Sequence, residues 1–172
     1  MKIGIIGPGG VEDYCKRSKI SKRKYISTVK GLAEFVARKG KEIVVTPDKG
    51  STTELFALKY RDAGGKKINV LAPLDDKEFG CKWLNLDIAD KKINCGTWRN
   101  QPESICENSD LFICIGWGGG TLAEIYYTRW FGKIKKIYVI KELIDCKLPD
   151  SLDDTFGILE YISASELEGK LK

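Results

Sequence analysis

The segment Leu111 to Glu124, LFICIGWGGGTLAE, decides how the rest of the chain is read. Leu111, Phe112, Ile113, Cys114 and Ile115 form a short unbroken apolar run, the pattern of a strand buried on both faces. Gly116, Gly118, Gly119 and Gly120 then remove side chains where the backbone must turn sharply or admit a ligand. Thr121 stands where a helix begins, and LAEIYYTRWFG continues at helical period. A helix start presents unpaired N–H groups and partial positive charge. Strand, glycine turn and helix together therefore form an anion site, with phosphate as the expected anion. Glycine-rich turns also occur where two elements merely pack closely. Here the carboxylate of Glu124 follows the glycines by one helical turn, and a purely structural turn has no need of it.

On either side of this segment, strand-like and helix-like stretches alternate, which predicts an α/β architecture with a mainly parallel central sheet. Strands are expected at Lys2 to Ile6, Glu42 to Val45, Ile68 to Ala72, Lys92 to Cys95, Lys136 to Ile140 and Ile158 to Ile162. Helices are expected at Ser21 to Arg38, Ser51 to Ala63, around Pro102 to Glu107, Thr121 to Phe131, and from Ser163 onward. Val11 to Ile20 reads as a polar loop, and Leu74 to Lys92 as a long loop with one short element at most. In open parallel sheets, ligands bind beyond the carboxyl ends of the strands. The turns Gly7 to Gly10, Thr46 to Gly50 and Gly116 to Gly120 are thus expected to line one crevice, with Gly7, Gly9 and Gly10 contributing backbone N–H groups.

The chain has 172 residues, which predicts a single domain with a core that needs neither disulfides nor metals. Its 42% hydrophobic and 31% charged residues are ordinary for a globular protein. The net charge of +5 suits a small anionic ligand. The basic cluster Lys16, Arg17, Lys19, Lys22, Arg23 and Lys24 has no interleaved aromatic platform, so it reads as solvated surface and nucleic acid is not an expected partner. Six cysteines without a CxxC pair give no zinc signature, and reduced thiols in a cytoplasmic protein are the expectation. The chain contains no histidine, which excludes Ser-His-Asp and Cys-His mechanisms and imidazole-based metal sites. MKIGIIG leads directly into a glycine turn, without a signal-peptide pattern, and no membrane span is expected.

GIIGPGG superficially resembles a dinucleotide fingerprint. Such a fingerprint needs a helix at once and an acidic residue ending the second strand, and the sequence offers neither, which argues against an NAD-dependent enzyme. Arg99 and Glu124 carry the remaining chemistry. A guanidinium pairs with phosphate through two hydrogen bonds, and a carboxylate can stabilise a developing oxocarbenium or activate water. The plainer alternative is a solvated Arg99 and a Glu124 paired with a surface lysine.

IGWGGGTLAE resembles the PGGxGTxxE motif of the LOG family and its relatives, the molybdenum-cofactor carrier proteins. Arg99-Asn100, the segment YRDAGGKKINVLAP from Tyr60 to Pro73, and the opening IGIIGPGG are similar to the carrier branch. The resemblance implies a Rossmann-like three-layer fold, usually dimeric or larger, that binds a nucleotide or similar phosphorylated ligand and requires no further cofactor. It implies that Gly118, Gly120 and Thr121 hold the phosphate, that Glu124 is the catalytic acid, and that Arg99 is the arginine preceding it. Gly116 and Trp117 stand where the motif has Pro-Gly, which brings an indole to the site, to stack on a base or fill part of the pocket. Two functions follow. One is hydrolysis of a nucleoside 5′-monophosphate at its N-glycosidic bond; the other is non-catalytic carriage of a phosphorylated cofactor such as a molybdopterin. The aromatic helix Leu122 to Phe131 is expected either to meet a partner subunit or to lie beneath the closing segment.

Overall fold

β1 (Lys2–Ile6) runs through the middle of the molecule, between β2 (Glu42–Val45) and β5 (Leu111–Cys114). A computed structural model describes residues 1–151 and 157–171. β3 (Ile68–Ala72), β4 (Lys91–Asn94), β6 (Ile137–Ile140) and β7 (Leu159–Ile162) complete a seven-stranded sheet in the order β4-β3-β2-β1-β5-β6-β7. Each neighbouring pair is parallel. The chain builds outward from β1 in one direction, returns, and builds outward in the other. The order therefore reverses between β1 and β5, the position where an open parallel sheet leaves a crevice.

Side-chain alternation along the strands sends residues to two separate cores. Ile43 and Val45 join Ile3, Ile5, Val70 and Ile113 on one face; Val44 joins Ile6, Leu71, Phe112, Cys114 and Val139 on the other. The first face is covered by α1 (Val11–Ser18), α2 (Lys22–Arg38), α3 (Thr52–Asp62) and α6 (Leu167–Lys170). The second is covered by α4 (Gln101–Asn108) and α5 (Gly119–Tyr127). The result is the three-layer α/β arrangement expected from the sequence. Among the described residues, no helix is long and apolar enough to cross a membrane.

The structure corrects the reading of Val11 to Ile20 as loop. α1 starts directly after Gly10, and its buried Tyr14, Cys15 and Ser18 fall at helical spacing. The charged residues between them mask that period. Lys16 and Lys22 both approach Glu12, at 3.7 and 3.8 Å, so part of the basic cluster is exposed, internally paired surface. Helix α5 begins at Gly119, two residues earlier than Thr121, and ends in a 3₁₀ turn at Thr128–Trp130. Between Leu74 and the start of β4 at Lys91, the chain forms the short 3₁₀ turn Leu86–Ile88 and an isolated antiparallel bridge from Leu84 to Asp48.

Candidate functional site

A crevice of about 280 Å³ opens at the reversal of strand order. Gly7, Pro8 and Gly9 enter it after β1, and Thr46, Asp48, Ser51 and Thr53 after β2. Trp98 and Gln101 enter ahead of and at the start of α4, and Gly118, Gly119, Gly120 and Glu124 line the side formed by α5.

The α5 side is shaped for an anion. Gly118 caps the helix in an extended conformation and has no side chain with which to satisfy the first N–H groups. Those donors and the helix dipole point outward at the crevice. Thr121, in the first turn, is buried, and its hydroxyl has no hydrogen-bond partner within the protein. An orphaned buried hydroxyl costs about 1–3 kcal/mol unless something satisfies it.

Two tyrosines hold the backbone where the strand becomes the turn. The Tyr25 hydroxyl donates to the Ile115 carbonyl at 2.6 Å. The Tyr14 hydroxyl donates to the Leu143 carbonyl at 2.7 Å and accepts the Trp117 N–H at 3.3 Å. Gly116 lies against the Tyr14 ring with φ at 134°, and an added Cβ would meet that ring at 2.8 Å. Only glycine satisfies both conditions. Gly7 is required by close approach instead, since a Cβ there would lie 2.6 Å from the Thr52 hydroxyl.

Two carboxyl groups also line the crevice, Glu124 from α5 itself and Asp48 from the turn after β2. Glu124 is buried, and Gln101 Nε2 donates to its Oε1 at 2.8 Å while also donating to the Thr46 hydroxyl at 2.8 Å. Burial, reinforced by the charge of Asp48, pushes the Glu124 carboxyl up to about 8, against the smaller opposing effect of the Gln101 hydrogen bond. Burial and the charge of Glu54 raise Asp48 to about 6. At neutral pH, Glu124 is mostly protonated and Asp48 mostly ionised. The crevice therefore holds a potential proton donor and a potential acceptor side by side with the anion-binding amides.

The structure brings together Gly7, Gly9, Gly118, Gly119, Gly120 and Glu124; Thr121 does not line the crevice, and its hydroxyl lies 3.6 Å from where a Gly118 Cβ would stand. It takes others away. Arg99 lines a separate hollow with Asp75, Asp76, Lys77, Glu78 and Thr97, and does not enter the crevice. Asn100 turns back on the chain, where its Oδ1 accepts the Thr97 hydroxyl at 2.9 Å. The cause is the 3₁₀ turn Trp98–Asn100: residues three apart share a face, so Trp98 and Gln101 point one way and Arg99 another. Gly10 and Gly116 are structural neighbours of the crevice but do not line it, and Trp117 lines an adjoining hollow. The sequence reading passed over Gln101 and undervalued Asp48. Gln101 lies three residues beyond Trp98, and Asp48 sits in the middle of the turn after β2; both were legible only as positions, not as roles.

The molybdenum cofactor binding protein of the phototrophic bacterium Rippkaea orientalis superposes with a TM-score of 0.73 at 18% identity, covering 96% of this chain and 91% of that one. The molybdenum cofactor carrier protein of Chlamydomonas reinhardtii gives 0.70 at 16% identity, covering 99% and 96%. The chain has the fold of the molybdenum cofactor carrier proteins. The protein TM1055 shares this carrier fold too, with a TM-score of 0.64 at 19% identity over 96% of this chain and 95% of its own. No family model matches the chain, and no curated protein matches it in sequence. The carrier fold is thus kept while most of its side chains differ, and the arrangement of the crevice has to be argued from this chain's own residues.

Proposed function

We propose that this protein binds a small phosphorylated ligand, a nucleotide or a molybdopterin-type cofactor, in the crevice between β1 and β5 and holds it without turning it over. The uncapped start of α5 above the orphaned Thr121 hydroxyl carries this reading, because both are unsatisfied until an anion arrives. The Thr46, Ser51 and Thr53 hydroxyls, the Gln101 amide and the two carboxyls suit a head group rich in N–H and O–H donors, as a ribose or a pterin ring is. The solved structures of the same fold include two proteins named for binding or carrying the molybdenum cofactor, which supports carriage over catalysis. So does the displacement of Arg99, since none of the described residues that line the crevice is a lysine or arginine. Calorimetric titration with molybdenum cofactor, AMP, GMP, CMP and UMP tests the proposal. Binding of at least one, with the ligand recovered intact, is expected; no affinity for any of them would refute it.

A second reading rests on one observation, the protonated Glu124 beside the ionised Asp48. Such a pair can protonate a leaving base and assist water, as N-glycosidic hydrolysis of a nucleoside monophosphate requires. Free base released on incubation with nucleotides, and not released by Glu124→Ala, would favour this reading over carriage. For assembly, we propose that Tyr126 and Trp130, 50% and 70% exposed at the end of α5, meet a second copy of the chain.

A further inference from the structure

On the other side of the β5–α5 turn from the crevice lies a second hollow, of about 340 Å³. Gly118 and Gly119 line both hollows, so one glycine turn separates two spaces of different chemistry. The crevice is walled by hydroxyls, an amide and two carboxyls; the second hollow is walled by Tyr14, Trp117, Leu122 and Leu148. Its charged groups are Arg17 and Asp145. Arg17 reaches it from α1, donating from Nη2 to the Trp117 carbonyl at 3.0 Å with its guanidinium 5.6 Å from the Tyr14 ring centroid. A guanidinium presents five N–H donors in a rigid fork, so this anchored arginine keeps donors to spare for an anion.

We infer that the two hollows are halves of one site, and that its ligand consists of two ring-bearing halves joined through a diphosphate. This deepens the anion reading of the crevice and rests on it. The Thr121 hydroxyl supports a ligand at the junction: it is buried, unpartnered, and lies 3.6 Å from where a Gly118 Cβ would stand. A mononucleotide places its phosphate on the α5 amides and its head in the polar crevice, leaving the apolar hollow filled only by water. A diphosphate-bridged ligand straddles the turn. Its second phosphate emerges on the side where Arg17 supplies positive charge, and its second ring covers Trp117, Leu122 and Leu148. Asp145 favours a nitrogenous base over a hydrocarbon tail, because a base offers N–H donors to a carboxylate. Size agrees: small-molecule sites occupy about 300–1,000 Å³, and the crevice at about 280 Å³ falls just below that range while the second hollow at about 340 Å³ stands at its low end.

The test compares AMP with diadenosine diphosphate by isothermal titration calorimetry, using the whole protein. The diphosphate is expected to bind at least about tenfold more tightly than AMP. Cys146→Trp places a large side chain in the second hollow from an exposed position, and Arg17→Ala removes its cation. Each is expected to abolish most of that advantage while AMP affinity is retained, which also shows that the variant is folded. Equal wild-type affinities would overturn the two-part site and leave the crevice reading intact. Equal losses for both ligands in Cys146→Trp would likewise overturn it. No wild-type affinity for either compound would overturn the two-part site, and the crevice reading would then stand or fall on the wider titration that includes molybdenum cofactor. The wild-type comparison decides the matter even where a variant fails to fold.

Discussion

At the scale of single residues, Glu124 and Gly116 are the most constrained. The folded protein holds Glu124 protonated up to about pH 8, whereas in the unfolded chain the carboxyl ionises near its ordinary value of 4.5. Stability from this group is therefore fully present below about 4.5 and is lost progressively as pH rises toward 8. Glu124→Gln keeps an acceptor for Gln101 and removes the titration. The wild-type Tm is expected to fall relative to that of Glu124→Gln between these limits, in paired thermal scans; parallel profiles would show that Glu124 is not buried as described. Asp48 titrates in both proteins, so the difference reads Glu124 together with its coupling to Asp48. Gly116→Ala should destabilise by about 1–3 kcal/mol in a denaturant titration, because the positive φ is strained for alanine and the Tyr14 ring stands in the way. Neither constraint could be read from the sequence in full. The glycines were visible as a cluster, but which of them faces the ligand and which only clears Tyr14 depends on residues about a hundred positions away.

At the scale of elements, periodicity found every strand of the sheet, because β1, β2, β3, β5 and β6 are nearly continuous apolar runs. It missed α1, where four charged residues in eight, Glu12, Asp13, Lys16 and Arg17, outweigh a narrow buried stripe when only composition is weighed.

 It also missed the 3₁₀ turn Trp98–Asn100, because two residues that share a face of such a turn are three apart, a spacing too short to register as a pattern. That omission displaced Arg99 from its expected role and hid Gln101. The end of α5 carries its own test. If Tyr126 and Trp130 meet a second copy, Trp130→Glu should convert an oligomer to a monomer in sedimentation velocity, with the far-ultraviolet spectrum unchanged; a monomeric wild-type protein would contradict the proposed assembly.

At the scale of the whole molecule, the parallel α/β architecture was legible, because alternating strands and helices admit few other arrangements. The strand order was not, since it depends on long-range pairing: β1 lies beside β5, about 108 positions further along the chain. That order is what places the glycine turns after β1 and β5 on the two sides of one crevice. The central claim is that the main-chain amides from Gly118 to Thr121 capture an anion there. An amide-resolved NMR titration with AMP measures this most directly. The largest shifts are expected at Gly118, Gly119, Gly120 and Thr121, with smaller ones at Gly7 and Gly9. Shifts confined to the basic surface of α1 and α2, or no shifts at saturating nucleotide, would contradict it.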